Sequence, residues 1–177
     1  MPDIKSDDPY RSQLTDAEYN VLRLRGTEPA GSGEYNKMLP SSGYFSCRAC
    51  GKPLYSAAAK FESGCGWPAF ARCYVDALKC QPDLEQFESC GGRVEISCAG
   101  CSSHLGHVFF EGDNPTRKKE RHCVNSLSIR HVDGLAHVAT VAGAEEQSLR
   151  DEYEACMQRA LMMLMGGGAP AGRGGDG

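Results

Sequence analysis

Two Cys-x-x-Cys pairs limit the folds open to this 177-residue chain more than any other feature. The first pair is Cys47 and Cys50, the second is Cys98 and Cys101, and residues 51–97 lie between them. Two such turns can each present two thiolates, and four thiolates complete the tetrahedral shell of a structural zinc ion. The pattern therefore predicts one structural zinc per chain, tying two distant hairpins together. Unrelated cysteines and a thioredoxin-like redox pair are the alternatives.

The remaining cysteines bear on the compartment of the protein. They are Cys65, Cys73, Cys80, Cys90, Cys123 and Cys156. The first residues, MPDIKSDDPYRSQL, contain no apolar core and carry three aspartates, which is typical of neither a secretory signal nor a basic transit peptide. Ten cysteines without a signal favour metal binding or redox chemistry over a disulfide framework. We therefore expect a reducing compartment, most simply a cytoplasmic one.

Charge and hydropathy argue against two classes of partner. The net charge is −4 and the pI is about 5.7, whereas nucleic-acid binding requires clustered Lys and Arg for phosphate contacts. No run of 18 apolar residues is present, so we expect no membrane span. The length suffices for one domain with its own core plus tails.

Local patterns predict short elements around the first Cys-x-x-Cys pair. Thr15 and Glu18 form a capping box, which starts a helix that runs to about Arg25. Residues 44–47 and 52–55 read as a hairpin that carries the first pair. Residues 71–91 show no firm periodicity.

Alternating residues predict three further strands. Residues 93–98 form one strand with Val94 and Ile96 inward, and residues 107–110 form a second. Residues 121–131 read as the longest strand, with the members of one face two residues apart: Arg121, Cys123, Asn125, Leu127 and Ile129. We expect the first three to line a site and the last two to enter the core.

The C-terminal part has a helical pattern. Residues 144–165 predict a helix with one apolar face, made of Leu149, Tyr153, Cys156, Met157, Ala160 and Leu164. A Gly-rich segment follows it.

Cys123 is the candidate nucleophile. A reactive cysteine needs a lowered pKa and partial exposure, and cations favour its thiolate. Arg121 lies on the same strand face, and Lys118 and Lys119 are close in sequence. A buried structural cysteine is the alternative, and spacing alone leaves both interpretations open.

Three further residue types are candidates for the same site. Cys65 lies in the loop Gly-Cys-Gly-Trp-Pro, which can move as a second thiol must. Trp67 in that loop either anchors the core or lies at the rim of the site, where its indole could pack on a small apolar group. His104 and His107 could replace a metal ligand or supply protons near Cys123.

In this order, these residues resemble the type B methionine sulfoxide reductases, which act on the R epimer of methionine sulfoxide in proteins. The resemblance covers roughly residues 13–132. The matching stretches are 15–28 (TDAEYNVLRLRGTE), 33–36 (GEYN), 47–55 (CRACGKPLY), 60–70 (KFESGCGWPAF), 94–109 (VEISCAGCSSHLGHVF) and 121–128 (RHCVNSLS).

The resemblance implies a mainly β fold of two small antiparallel sheets, with a short N-terminal helix and a zinc held by the four cysteines. The added C-terminal helix lies outside the resemblance.

The resemblance also implies a role for each site residue. Cys123 would be catalytic and Cys65 resolving, while Trp67 would cradle the substrate methyl group. His104, His107 and Asn125 would bind or protonate the sulfoxide oxygen, and Arg121 would hold Cys123 as thiolate. Thioredoxin or a similar dithiol would reduce the resulting disulfide.

The chain departs from the family pattern in three places. His122 replaces the tyrosine that usually precedes the catalytic cysteine, and we expect it to face away from Cys123. The loop 115–121 is longer and more basic than usual, and residues 135–177 lie outside the resemblance. Cys73, Cys80 or Cys90 could take the place of Cys65 as resolving thiol.

These observations predict four segments. Residues 1–12 are a disordered N-terminus, 13–134 the reductase domain, 135–165 a helical extension and 166–177 a disordered tail. Two other functions remain open. The first is a non-enzymatic zinc-knuckle binding module in which Cys123 is structural. The second is a cysteine hydrolase that uses Cys123 with His107.

Overall fold

The computed structural model describes residues 8–84, 93–111, 119–134 and 146–165. They form a mainly β structure with two α-helices, which confirms the predicted fold class. The helices are α1 (Asp16–Leu24) and α2 (Arg150–Leu164). The strands are β1 (Tyr44–Cys47), β2 (Pro53–Ser56), β3 (Lys60–Phe61), β4 (Ala69–Phe70), β5 (Cys73–Tyr74), β6 (Leu78–Asp83), β7 (Arg93–Cys98), β8 (His104–Glu111), β9 (Lys119–Val124), β10 (Ile129–Val132) and β11 (Glu146–Gln147).

Antiparallel pairing joins these strands into two main sheets. The larger has the order β3-β4-β9-β8-β7-β6, and the smaller has the order β10-β1-β2. A third ladder, β5 with β11, was not predicted. Of the N-terminus expected to be disordered, residues 1–12, only 1–7 lie outside the described residues, as do 112–118 and the tail at 166–177. Residues 8–12 form turns, and the Arg23 guanidinium donates to the Asp8 carboxylate at 2.6 Å.

Helix α1 begins as its sequence predicts. The Thr15 hydroxyl accepts a hydrogen bond from the Glu18 N–H at 3.3 Å, and the Glu18 carboxylate accepts one from the Thr15 N–H at 2.8 Å. This reciprocal pair confirms the capping box. The helix ends at Leu24, because Arg25 adopts the left-handed conformation at φ 60°.

The predicted long strand at 121–131 is wrong, because it is two strands in different sheets. Strand β9 ends at Val124, a 3₁₀ turn spans Ser126–Ser128, and β10 then pairs with β1. The Glu28 carboxylate causes the break by accepting the N–H groups of Ser126 (2.7 Å) and Leu127 (3.1 Å). Leu127 is therefore only half-buried, whereas Ile129 enters the core as expected.

The C-terminal helix is shorter than predicted. It starts at Arg150 rather than 144, and residues 146–147 pair with β5 instead. Leu149, Cys156 and Ala160 of its predicted apolar face are buried, but Leu164 is 45% exposed. The apolar face therefore packs only over the first part of the helix. No helix in the described ranges is long and apolar enough to cross a membrane.

Two strands of the large sheet differ from the sequence prediction. Strand β6 lies in the segment without periodicity and pairs with β7 from Leu78 opposite Cys98 to Asp83 opposite Arg93. Strand β8 begins at His104, three positions before the predicted start at 107. Both differences bring into the sheet polar residues for which the sequence predicted no strand.

The large sheet has one polar and one apolar face. Register places Glu95 beside His107, His107 beside Cys123 and Phe109 beside Arg121, so these five residues share a face. The alternate residues form the other face, including Val94, Ile96, Val108, Phe110 and His122. Helix α2 covers that second face, where Tyr153 packs on Phe110 with ring centroids 4.8 Å apart.

Candidate active site

The two Cys-x-x-Cys pairs meet in one cluster. Cys47 Sγ lies 3.7 Å from Cys101 Sγ, Cys50 Sγ lies 3.6 Å from Cys98 Sγ, and all four sulfurs are within 4.8 Å of one another. Four thiolates bound to zinc at about 2.3 Å in a tetrahedron would be separated by about 3.8 Å. The cluster therefore has the geometry to hold such an ion.

Both halves of the cluster have the same backbone turn. The Gly51 N–H donates to the Cys47 carbonyl at 2.9 Å, and the Ser102 N–H donates to the Cys98 carbonyl at 2.8 Å. Gly51 and Ser102 both adopt positive φ angles, 76° and 58°. Each turn presents its two sulfurs on the same side, and this local geometry explains why the spacing alone predicted the cluster.

A second pair of thiols lies on the polar face of the large sheet. Cys65 Sγ is 3.0 Å from Cys123 Sγ, although 58 positions separate the two residues. Cys123 belongs to β9, and Cys65 lies in the loop 62–68 between β3 and β4. Because β4 pairs with β9, the Val124 N–H reaches the Pro68 carbonyl at 2.9 Å and the loop ends beside Cys123. An S–S bond of about 2.05 Å needs an approach of only about 1 Å.

The other cysteines that the sequence offered as resolving thiols are not beside Cys123. Cys73 is buried, with its sulfur 3.9 Å from the Gln147 carbonyl. Cys80 pairs with Ile96 on β7, on the face that α2 covers. Cys90 lies outside the described residues. Within the described part of the chain, Cys65 is the cysteine that the fold brings to Cys123.

The proton distribution in the thiol pair follows from its contacts. A hydrogen bond from Cys123 lowers the pKa of Cys65 to about 5, with help from the Ser63 hydroxyl at 3.0 Å. The same hydrogen bond, followed by burial, raises the pKa of Cys123. The Arg121 guanidinium, 2.7 Å from Cys123 Sγ, acts in the opposite direction. The contact between the sulfurs therefore favours the thiolate on Cys65, whereas Arg121 favours it on Cys123.

A cavity of about 300 Å³ opens beside the two thiols. Six of the residues that the sequence singled out line it, namely Cys65, Trp67, His107, Arg121, Cys123 and Asn125. Thr27, Arg93 and Phe109 complete much of the wall. Arg121 also stacks over the Phe109 ring, with its guanidinium carbon 4.6 Å from the ring centroid. The cavity therefore combines an aromatic rim with thiols and a cation.

Glu28 holds both Trp67 and Asn125 in place, and sequence reasoning gave it no role. Its carbonyl accepts the Trp67 indole N–H at 3.0 Å, and its N–H donates to the Asn125 side-chain oxygen at 3.0 Å. The Asn125 amide nitrogen donates to the Leu105 carbonyl at 3.0 Å. Both the oxygen and the nitrogen of the Asn125 side-chain amide therefore hydrogen-bond to backbone groups, and the side chain lines the cavity.

The two histidines are neighbours, with ring centroids 5.7 Å apart, but their hydrogen-bond partners differ. His107 lines the cavity, and its Nε2 lies 2.9 Å from an Asp83 carboxylate oxygen. Burial lowers the pKa of His107, and Asp83 acts to raise it. His104 does not line this cavity, because its Nδ1 is 2.6 Å from the buried Glu95 carboxylate in a neighbouring one. Burial lowers the pKa of His104 to about 4.

Asp83 and Glu95 are further site residues that the sequence analysis missed. Glu95 alternates with Val94 and Ile96 in a predicted strand, so its place on the polar face was open to prediction. Arg25 pairs with this carboxylate from the end of α1. Asp83 gave no such signal, because it lies at the end of β6, which had no recognisable periodicity.

His122 faces away from the thiols, as expected from strand alternation. It is fully buried on the opposite face of β9. Its Nδ1 lies 3.3 Å from the Tyr55 hydroxyl, and its Nε2 lies 2.7 Å from the Glu120 carboxylate. That carboxylate also accepts the Leu149 N–H at 2.7 Å, at the start of α2. His122 is thus linked through Glu120 to the start of α2 and lies away from the cavity.

A mainly antiparallel β fold with a four-cysteine cluster, and a separate pair of thiols at the wall of a small cavity, define a thiol-dependent oxidoreductase. Residues 14–133 match the SelR domain family. The chain is also similar to curated plant proteins, so it belongs to the SelR family together with peptide methionine sulfoxide reductases B.

Three of these relatives illustrate the extent of the match. The chain is 48% identical over 126 residues to peptide methionine sulfoxide reductase B5 of Oryza sativa subsp. japonica. The aligned region covers 71% of this chain and 88% of that protein. It is 45% identical to B9 of Arabidopsis thaliana, over 71% of this chain and 84% of that protein. The chloroplastic B2 of Arabidopsis thaliana is 45% identical over 71% of this chain, but only 59% of that protein is covered.

Proposed function

We propose that this protein reduces methionine-R-sulfoxide in oxidised proteins to methionine, with Cys123 as nucleophile and Cys65 as resolving thiol. The observation that carries the proposal is the 3.0 Å distance between these sulfurs at the wall of a cavity that also holds Trp67 and His107. The names of the relatives add the substrate class, peptide methionine sulfoxide.

The cavity suits a methionine sulfoxide side chain. The Trp67 ring, held by its indole N–H on the Glu28 carbonyl, offers a flat apolar surface to the substrate methyl group. The sulfoxide oxygen would face His107. When both ring nitrogens carry protons, one donates to Asp83 and the other to this oxygen, and the Asp83 carboxylate stabilises the cation. Asn125 would hold the backbone of Glu28 and Leu105 in position through its two hydrogen bonds.

The first chemical step is attack of the Cys123 sulfur on the sulfoxide sulfur. When Cys65 moves away, Arg121 is the cation that stabilises the Cys123 thiolate. This attack joins the two sulfurs, and the S–O bond of the substrate breaks as two protons reach the oxygen and release it as water. A water oxygen then bonds to the Cys123 sulfur while the bond between the two sulfurs breaks, so that sulfoxide plus thiol gives thioether plus sulfenic acid. The methionine product leaves, and Cys123 carries the oxygen.

The second step is condensation of Cys65 with the Cys123 sulfenic acid. An S–S bond forms, the S–O bond breaks, and water leaves with the Cys65 proton. The Cys65 loop needs to move by only about 1 Å for this step. A dithiol reductant such as thioredoxin would then reduce the disulfide by thiol–disulfide exchange, with its first attack on the sulfur of the half-buried Cys65.

Zinc is the metal that the four-cysteine cluster would hold in our proposal. Cys47, Cys50, Cys98 and Cys101 would supply four thiolates, which leaves no open position for chemistry. Bound zinc would supply structural stability only. It would tie the β1–β2 hairpin to the β7–β8 turn, and β8 carries His107.

We also propose a cytoplasmic location, since a chain with ten cysteines, four of them in a cluster that could hold a metal, suits a reducing compartment.

The test is mass spectrometry after adding a methionine-R-sulfoxide peptide without reductant, for the wild type and for Cys65→Ser. We expect a Cys65–Cys123 disulfide in the wild type and a trapped sulfenic acid on Cys123 in the variant. A disulfide from Cys123 to Cys73, Cys80 or Cys90 would keep the reductase and reassign the resolving thiol. No change at Cys123 in folded, zinc-loaded protein would favour the non-enzymatic binding module instead.

A further inference from the structure

Three methionines form an exposed patch at the C-terminal end of α2. Met162, Met163 and Met165 are 69%, 61% and 83% exposed, and Leu161 and Leu164 beside them are also exposed. We call the three the methionine patch. The two other described methionines are less accessible, since Met38 is 37% exposed and Met157 packs partly against the core. Thioether oxidation requires contact between sulfur and oxidant, so the methionine patch is the favoured site of methionine oxidation among the described residues.

The helix end that carries the patch is held weakly. Ala160 is the last buried residue of α2, and the last turn contains no basic side chain to stabilise its carbonyl end. A backbone hydrogen bond from the Met165 N–H to the Leu161 carbonyl, at 3.0 Å, closes this turn. Such an end frays at low cost, which makes its side chains available in extended form.

We propose that the methionine patch is a peroxide modification site and that its R-sulfoxides are substrates for a second copy of this chain. This inference rests on the proposed reductase activity. In the oxidation, each thioether sulfur gives two electrons to hydrogen peroxide and takes one oxygen, and water is released. In the repair, Cys65 and Cys123 of the other copy return the two electrons, and the products are methionine, their disulfide and water.

The fold explains why a second copy is needed. Helix α2 packs on the apolar face of the large sheet, where Tyr153 contacts Phe110. The neighbouring Phe109 lines the thiol cavity on the opposite face. The sheet therefore separates the patch from the thiols of its own chain. A frayed end can instead enter the open cavity of another molecule, whose volume of about 300 Å³ suits a single side chain.

Oxidation would change the surface that this helix end presents. Three flexible apolar side chains become polar sulfoxides, and the adjacent Leu161 and Leu164 lose their apolar neighbours. Repair by another copy would restore the original surface. The patch is thus assigned as a reversible modification site that the protein itself maintains.

The experiment separates substrate chain from enzyme chain. An isotopically labelled Cys123→Ser chain, which cannot repair, is oxidised with limiting hydrogen peroxide, freed of peroxide and mixed with unlabelled wild type and dithiothreitol. Trypsin then separates the methionines, because the whole patch lies in peptide 160–173, Met157 in 151–159 and Met38 in 38–48. A methionine-R-sulfoxide peptide in the same tube reports basal activity. A matched labelled chain with Met162→Leu, Met163→Leu and Met165→Leu controls for the patch.

We expect peptide 160–173 to gain oxygen before the other two, and the wild type to remove about half of it, since peroxide makes both epimers and the site takes one. The initial rate should rise in proportion to the wild-type concentration. Oxidation of Met38 or Met157 ahead of the patch would overturn the modification site. Unrepaired patch sulfoxides beside a reduced control peptide would overturn the inference alone, whereas an unreduced control peptide would overturn the proposed function as well.

Discussion

The four-cysteine cluster and the Cys65–Cys123 pair use the same side chain under opposite constraints. In the cluster, each Cys-x-x-Cys turn carries its own backbone hydrogen bond and its own left-handed residue, so both members of a pair are fixed locally. In the thiol pair, Cys123 sits in a strand paired on both sides, whereas Cys65 sits in a loop with glycines at φ 74° and 96°. Metal binding suits four fixed sulfurs, and disulfide chemistry requires one that moves.

The four-cysteine cluster and the Cys65–Cys123 pair also differ in their exposure and in the charges around them. In the cluster, Cys47 and Cys98 are buried, Cys101 is half-buried and Cys50 is exposed. The thiol pair borders an open cavity, with the cationic Arg121 2.7 Å from Cys123. A metal bound by all four cluster thiolates would leave no open position, whereas an open cationic cavity exposes a thiolate to substrate. The following changes, from the largest expected effect to the smallest, test this difference.

Removal of one cluster sulfur should unfold the protein. We expect Cys98→Ser to lose bound metal and several kcal/mol of stability, because metal-binding free energy is folding free energy at such sites. Metal analysis and thermal unfolding measure both effects. Far less than one zinc per chain in active wild-type protein would contradict the assignment of the cluster.

Removal of the nucleophile should abolish activity without unfolding the chain. We expect Cys123→Ser to lower turnover of a methionine-R-sulfoxide peptide at least ~10³-fold. Its thermal midpoint and metal content should match the wild type, which separates it from Cys98→Ser. The matched variant Cys65→Ser should retain a single turnover, measured by quenched-flow chromatography of the methionine product.

Asp83→Asn should shift the pH dependence of the reaction. Burial lowers the pKa of His107 and Asp83 raises it, so loss of the carboxylate lowers that pKa further. If protonated His107 gives its proton to the sulfoxide oxygen, the pH at which the rate falls moves down, and the rate at pH 7 drops. A pH–rate profile measures the shift. An unmoved profile with a lower plateau would remove His107 from proton transfer.

Gly66→Ala should slow only the step that moves Cys65. A Cβ at this residue would approach the Ala30 Cβ to 2.9 Å, at a φ of 96° that alanine adopts with strain. We expect disulfide formation to slow by roughly fivefold while the sulfenic acid forms at the normal rate. Gly64→Ala is the control, because it has positive φ but open space around its Cβ. Stopped-flow trapping with a thiol-reactive dye follows each step.

His122→Tyr should have the smallest effect. This side chain contacts Tyr55 and Glu120 on the face opposite the thiols. We expect turnover to change by less than about threefold, with a stability loss of roughly 1 kcal/mol from the lost hydrogen bond to Glu120. Steady-state kinetics and urea unfolding measure the two quantities. A large change in turnover would show that the two faces of β9 are coupled.

Sequence patterns predicted the elements that depend on near neighbours. The capping box at Thr15 and the two Cys-x-x-Cys turns involve hydrogen bonds over three or four positions, and such contacts leave a readable spacing. The alternation around Cys123 placed Arg121 on its face and His122 on the other. The same reasoning failed at 121–131, where alternation continued but the strand did not.

Only the tertiary structure decided which distant residues meet. The bond from Glu28 to Asn125 spans 97 positions, and the contact between Cys65 and Cys123 spans 58. No periodicity encodes such pairs, because they depend on how β4 and β9 align in the sheet. The sequence by itself determined the cluster turns, the first helix and the candidate thiol on β9. The long-range packing of the sheet was required to bring Cys65 beside Cys123, to place His107 rather than His104 at the thiol cavity, and to bury the first part of α2.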